Sequence, residues 1–297
     1  MEYINVSIMV RGEYLVRYWL IRILAKISLS RLPFSYSLWS KIGFFRHGMM
    51  DNYLYVWRVL KFHTRFIDIS KKWRGLEIGP GDSALSALLA SSINCKGLTL
   101  VDSGYFIKKD VSFYSKQIQC FNEDNPGLKI NNIDKNLKLK DILNEYGSSF
   151  HSEGVTSLKN LKSESYDLIY SQAVLEHIRL DEFEGLIKEC FRLISKNGVM
   201  SHVVDYKDHL GGGLNNMRFS SNLWEREWFA HKSGFYTNRI KLKQMVAICE
   251  KIGFSVKIES TKKWSKSPIQ KKHLANEFHN ISEEDLLVQE AHLIMRI

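Results

Sequence analysis

One short stretch holds residues whose types and spacing could do chemistry. Gly79, Pro80 and Gly81 stand in GLEIGPGDSALSALLA, residues 75–90, with Glu77 two places before the first glycine. Gly79 to Ala84 fits the pattern G-x-G-x-x-A, and an acid, Asp102, follows 23 residues after Gly79 at the end of GLTLVDS. Glycine at such a turn lets backbone approach a ligand closely. A carboxylate about twenty residues further on is placed to accept ribose hydroxyls. The chemistry is therefore recognition of an adenosine-bearing ligand. The pattern alone does not separate a nicotinamide dinucleotide from S-adenosylmethionine (SAM), since both carry that ribose.

Those residues need strands and helices to hold them, and the sequence supplies an alternation of the two. GLEIG reads as a strand and Ser83 to Ser92 as a helix. GLTLVDS is a second strand and residues 149–151 a short third one. YDLIYSQ, 166–172, is a clear fourth, followed by a helix carrying AVLEHI. The long helix LDEFEGLIKECFRLI is read as closing at Lys196-Asn197-Gly198, before a fifth strand, VMSHVVDY. KLKQMVAICEKIG is helical, FSVKIES is a sixth strand, SEEDLLVQE a short helix and AHLIMRI a last strand. Residues 103–145 read as polar and irregular. Alternating strands and helices predict an α/β fold, a mostly parallel sheet covered on both faces, with ligands at the carboxyl ends of the strands.

Glu77 favours one ligand over the other. A negative charge inside the strand disfavours a pyrophosphate and suits a ligand carrying an ammonium and a sulfonium. LEIGPGDS, LVDS, YDLIYSQAVLEHI and KNGVMSHVV, in that order, resemble the class I SAM-dependent methyltransferases. The resemblance covers roughly residues 73–260 plus the last strand. It implies a Rossmann-like seven-stranded sheet with the last strand antiparallel, and SAM as cofactor. By the resemblance, Gly79, Pro80 and Gly81 approach the methionine part, Glu77 fixes the turn and attracts the ammonium, and Asp102 holds the ribose. Ser171 and Gln172, ending the fourth strand, face the methionine moiety, and Ser152 to Gly154 contact the adenine. LWSKIGFFRHGMMDN before the domain, and DHL, MRFSSNLWE and YTNRI after the fifth strand, are similar to methyltransferases of bacterial surface-polysaccharide gene clusters. That implies a sugar or lipid-linked glycan acceptor.

Methyl transfer from a sulfonium needs chiefly alignment, and a hydroxyl acceptor also needs a base. His209, Asp205 and His177 are the candidate catalytic residues, His209 and Asp205 preferred because the fifth-strand end faces the transferred methyl. His202 and Asp208 lie nearby. Arg218, Tyr236, Asn238 and Arg239 could bind an acidic or sugar substrate, or simply pack the insertion they belong to. No metal site is expected. Cys95, Cys120, Cys190 and Cys249 lie far apart, without paired spacing, and a reducing cytoplasm is the simplest home.

The chain has 297 residues, 44% of them hydrophobic and 25% charged, as a globular protein should. Its formal charge is +10, and residues 1–72 hold twelve Lys or Arg against four Asp or Glu, so most of the excess lies there. We read 1–72 as a basic helical N-terminal extension and 73–297 as the methyltransferase domain, with an insertion at about 207–239. Residues 13–29 have helical spacing, with Val16, Trp19, Leu20, Ile23, Leu24 and Ile27 on one face. Such a helix commonly packs on its own domain. It can also lie on an anionic membrane surface, here the inner face where surface glycans are assembled. An RNA target is disfavoured, because the basic residues lie on an amphipathic helix and not on an RNA module. A non-catalytic SAM-binding or scaffold member of the fold is the competing class, and a methyltransferase acting on RNA or a small molecule is another. The intact Glu77, Gly79, Gly81 and Asp102 set argues against the scaffold.

Overall fold

The computed structural model describes residues 49–232 and 235–297. The 13–29 segment lies outside them. The chain builds one seven-stranded sheet from β1 (Trp73–Ile78), β2 (Cys95–Val101), β3 (Ser149–His151), β4 (Tyr166–Gln172), β5 (Ile194–Asp205), β6 (Ser255–Lys263) and β7 (Val288–Arg296). The order across it is β3-β2-β1-β4-β5-β7-β6. β7 runs antiparallel to both neighbours, and the strands on the β5 side of it are parallel. The expected α/β architecture, antiparallel last strand included, is the one found. The order reverses between β1 and β4, and that switch point is where an open parallel sheet leaves a crevice for a ligand.

The register divides the side chains between two cores. Leu98, Leu100, Leu168 and Tyr170 point to one face, covered by α1 (Tyr53–Thr64), α2 (Leu85–Ala90), α3 (Val111–Asp124) and α4 (Leu139–Glu145). Leu76, Ile169, Met200, Val204 and Leu293 point to the other, under α5 (Val155–Lys159), α6 (Leu180–Leu193) and α9 (Leu242–Ile252). α6 shows why the helices lie as they do. It buries Phe183, Leu186, Ile187, Cys190 and Leu193, the three-and-four spacing of one helical face. The N-terminal region contributes α1 to the first core. Asn52 caps it, accepting from the Leu54 N–H at 2.9 Å, and Val56, Trp57 and Leu60 are buried against the sheet's helices.

Three expectations are corrected. Residues 103–145 are not irregular throughout: α3 and α4 occupy much of the segment. α3 buries only Tyr114, Ile118 and Phe121, so its apolar stripe is narrow and easily lost among polar neighbours. The AVLEHI stretch is not a helix but a single 3₁₀ turn, Leu175–His177. Lys196-Asn197-Gly198 does not cap α6, which ends at Leu193; those residues lie within β5. The register there jumps from Tyr166 opposite Ile194 to Leu168 opposite Val199, a bulge. A Cβ on Gly198 would stand 2.8 Å from the Tyr166 carbonyl oxygen, which is why glycine is needed.

Beyond β5 the insertion forms a 3₁₀ turn at Asn215–Arg218, then α7 (Ser221–Trp224) and α8 (Glu227–Lys232). It carries its own small core of Leu210, Trp224, Phe229, Phe235 and Tyr236. α10 (Glu283–Leu286) precedes β7. Among the described residues no helix is long and apolar enough to cross a membrane.

Candidate active site

The crevice has two sides. On the first, β1 ends in the glycine turn. Gly79 and Gly81 have φ of +72° and +69°, left-handed conformations that L side chains resist. A Cβ on Gly79 would lie 2.5 Å from Val174 just past β4, so the residue is glycine for space as well as conformation. Pro80 between them is buried. The Gly79 N–H donates to the Val101 carbonyl at 2.8 Å, which ties the turn to the end of β2. There Asp102 accepts from Gly81 N–H at 3.3 Å on one oxygen and from Ser103 N–H at 2.7 Å on the other. The carboxylate is thus held at the rim of the crevice by backbone groups of the turn itself. α2 begins at Leu85, two residues later than the sequence suggested, and the Ala84 N–H donates to the Tyr114 hydroxyl at 3.2 Å.

Glu77 is 1% exposed. Ser86 on α2 donates to it, and the Tyr170 ring of β4 packs in the same core. Burial, with the Asp102 charge adding to it, pushes its carboxyl up to about 7. A cation entering the crevice would draw that proton off.

Ser171 and Gln172, adjacent at the end of β4, point to opposite faces. Ser171 is fully buried in the second core, its hydroxyl 2.7 Å from His202 Nδ1. Gln172 lies on the first face, with its Oε1 3.2 Å from His63 Nε2 of α1. Gly154, in the segment expected at the adenine, donates its N–H to the Asp102 carbonyl at 2.8 Å.

The second side lies past β4 and β5. Here the fold brings together two of the candidate catalytic residues, His177 and His209. Their Nε2 atoms are 3.2 Å apart and their rings stack with centroids at 4.9 Å and planes at 9°. His177 Nδ1 is 3.1 Å from the Tyr236 carbonyl. A carbonyl only accepts, so His177 Nδ1 carries a proton. The two Nε2 atoms share one hydrogen between them. Asp205 is placed otherwise, in an ion pair with Lys207 at 3.2 Å.

Several polar residues near this edge are structural. His202 is buried, and burial drives its imidazole down to about 3. Asp208 is 2% exposed and gathers the N–H groups of Leu210, Gly212, Gly213 and Asn215, so it folds the triple-glycine loop. Asn238 donates to the carbonyls of Leu175 and Ile178 at 2.7 and 3.0 Å, and its N–H to that of Glu176 at 2.8 Å. It clamps the turn that carries His177. Arg239 donates to the Phe219 carbonyl and Ser221 and pairs with Glu225. Tyr236 donates to Glu225 and accepts from Leu180 N–H, and Arg218 donates to Asn215. These hydrogen bonds tie the four side chains into the insertion, the packing role that the sequence left open beside substrate binding.

Sequence reading missed a small cavity beside Glu176. It measures about 10 Å³, room for about one water, and is lined in part by Glu176, Asp205, Tyr206, Asn216 and Lys241. Both Glu176 carboxyl oxygens, Asn216 Oδ1 and Lys241 Nζ are buried without a hydrogen-bond partner among the described residues. Burial raises the Glu176 carboxyl well above its ordinary value and lowers Lys241 to about 8. Unpaired groups of this kind are costly, so something polar belongs between them. Among the described residues no cluster of three or more metal-ligating side chains occurs.

Residues 76–201 match a protein-family model described as a methyltransferase domain. No curated protein matches the chain. Among solved structures it is similar to a SAM-dependent methyltransferase from Methanosarcina mazei, with 15% identity, 78% of this chain and 95% of that one covered, and a TM-score of 0.45. It is also similar to a SAM-dependent methyltransferase from Archaeoglobus fulgidus, at 15% identity, 82% and 93% coverage and a TM-score of 0.41. The YcgJ protein from Bacillus subtilis stands alongside them, at 15% identity, 81% and 96% coverage and a TM-score of 0.42. The matched segment carries β1 with its glycine turn, Asp102, β4 and most of β5. Two left-handed glycines, a rim carboxylate and a buried acid beneath the turn fit a cationic adenosyl ligand. The match assigns residues 76–201 to a methyltransferase domain, and S-adenosylmethionine is the ligand that this geometry fits.

Proposed function

We propose that the enzyme O-methylates a hydroxyl of a sugar or lipid-linked glycan used in bacterial surface-polysaccharide synthesis, with His209 as general base. The observation that carries the reading is the His177–His209 pair at the β4–β5 edge. When bound, SAM would supply a methyl carbon for direct displacement by the acceptor oxygen, its sulfur leaving as the neutral thioether. His209 takes the acceptor's hydroxyl proton as the new C–O bond forms. The resulting imidazolium donates through Nε2–H to His177, whose own Nδ1–H is anchored on the Tyr236 carbonyl. This is the base-and-orienter arrangement that general-base catalysis uses. Asp205 stays out of the scheme because Lys207 already neutralises it. Gly79, Gly81 and Asp102 hold the cofactor.

Support for the cell-surface setting comes from the sequence segments flanking the domain. The basic 13–29 segment would hold the enzyme near anionic lipid, on the cytoplasmic side of the membrane.

The test is transfer of isotope-labelled methyl from SAM to a panel of sugar nucleotides, methyl glycosides, polyprenyl-linked oligosaccharides and RNA. Label in a glycan, lost in His209→Gln, is the expected result. Label in RNA alone would overturn the reading. SAM binding without transfer to any member would favour the scaffold alternative. Sedimentation with phosphatidylglycerol vesicles but not phosphatidylcholine vesicles, lost on deleting residues 1–30, checks the membrane contact.

A further inference from the structure

α1 lies outside the matched methyltransferase domain, yet a row of hydrogen bonds runs from it to the cofactor edge of the sheet. Arg65 Nη2 is 3.4 Å from His292 Nδ1 on β7. His292 Nε2 is 2.8 Å from Ser201 Oγ on β5, and that hydroxyl is 2.7 Å from His63 Nδ1 on α1. His63 Nε2 is 3.2 Å from Gln172 Oε1 at the end of β4. His63 and Ser201 are fully buried and His292 is 2% exposed. His63 also stacks on Tyr170 at 4.9 Å, and Phe62 and Phe66 lie against His292.

The direction of this row is fixed from one end. A guanidinium only donates, so His292 Nδ1 accepts and its Nε2 carries the proton. Ser201 Oγ then accepts from His292 and has one proton left, which goes to His63 Nδ1. His63 is thereby left with Nε2–H, and Gln172 must receive it on its amide oxygen. Four groups, from α1 and the residue after it, β5 and β7, thus decide which way one amide on β4 faces. The outcome is that Gln172 has its oxygen spent inside the protein and its NH₂ group left as the donor at the strand's carboxyl end.

We propose that His63 is a positioning residue of the cofactor site: through it, α1 and Ser201 set Gln172 as a hydrogen-bond donor towards the carboxylate end of the bound cofactor. The inference rests on Gln172 facing that ligand. Reversal of the amide would present an oxygen to a carboxylate and repel it, so the row selects the useful orientation. The buried histidines are the device because an imidazole donates at one nitrogen only by accepting at the other. They carry the order across the sheet without placing a charge in the core.

The test is calorimetric titration of the full-length protein with SAM and S-adenosylhomocysteine, run as a double-mutant cycle on His63→Leu and Gln172→Ala. Loss of one such hydrogen bond weakens binding by roughly 3- to 10-fold, and each single variant should show it. The double variant should be no weaker than Gln172→Ala alone. His63→Gln keeps an amide donor and a carbonyl acceptor and should recover most of the affinity. If His63→Leu does not fold, Ser201→Ala breaks the row at its middle without touching α1 and should weaken binding by the same factor. A lower melting temperature with unchanged SAM affinity in His63→Leu or Ser201→Ala would overturn the proposal, as would additive losses in the cycle. Unchanged affinity in Gln172→Ala would instead show that Gln172 does not face the cofactor, a distinct failure.

Discussion

The two sides of the crevice are built differently. The glycine-turn side is compact in sequence: Glu77, Gly79, Gly81 and Asp102 lie within one strand-helix-strand unit. Its key features are backbone conformations and one carboxylate held by two neighbouring N–H groups. The β4–β5 side is assembled from distant residues. His177 meets His209 across 32 positions, and Asn238 clamps the 175–178 turn from about 60 positions away. The geometry of the glycine turn is a local property of the chain, whereas the proposed acceptor chemistry depends on how the insertion packs beside the sheet.

If the two sides are separable, changes on one should leave the other's readout alone. The largest expected effect is on the acceptor side. His209→Gln should lower turnover by roughly 10²- to 10⁴-fold, the usual contribution of a general base, with SAM affinity unchanged. An equal loss of SAM affinity would show that the sides are coupled. Next comes Asp102→Ala, where loss of hydrogen bonds to a charged group costs about 1.5–3 kcal/mol. Calorimetry should show weakened binding of SAM and S-adenosylhomocysteine, while circular dichroism reports an intact fold.

Gly79→Ala sharpens the comparison, because its steric partner, Val174, belongs to the other side. A left-handed alanine costs ~1–2 kcal/mol, and the clash adds to that. Adding Val174→Ala should restore the clash component of the melting temperature and leave the conformational component. Full restoration, or none, would contradict the geometry.

The smallest effect is a pH dependence confined to the first side. Glu77 has its folded value raised from 4.5 to about 7, so between those values the folded state holds a proton that the unfolded state has lost. Its contribution to stability therefore falls as pH rises through that window, by about 1 kcal/mol per pH unit. Glu77→Gln, which never ionises, should gain on the wild type in denaturant midpoint from pH 4.5 to 7. A constant difference would mean that the carboxyl is not buried as described. The histidines act with the opposite sign. His63 and His202 are lowered chiefly by burial and His292 to about 4, so their contribution is present above 6.5 and lost as pH falls.

Much of this fold was readable in the sequence. β4 reads off YDLIYSQ with both boundaries correct, because a strand buried on both faces is a continuous apolar run. α3 was not readable, since three buried residues in fourteen leave almost no amphipathic signal. The 3₁₀ turn at Leu175–His177 was mistaken for a helix because its shape is imposed by Asn238, which no local pattern announces. Arg239, Tyr236 and Asn238 read equally well as substrate ligands or as packing, and only the fold shows which groups they hydrogen-bond.

What the amino-acid sequence determined by itself was the α/β architecture, the cofactor turn and its carboxylate. These depend on short-range facts: period, glycine conformation, and an acid at a strand end. The tertiary structure decided which histidine meets which, that Glu176 and Lys241 line one small cavity, and that α1 reaches Gln172 through Ser201. A hydrogen bond between residues 63 and 201 leaves no trace in the spacing of either, because its geometry exists only once the sheet and the helix that covers it have packed.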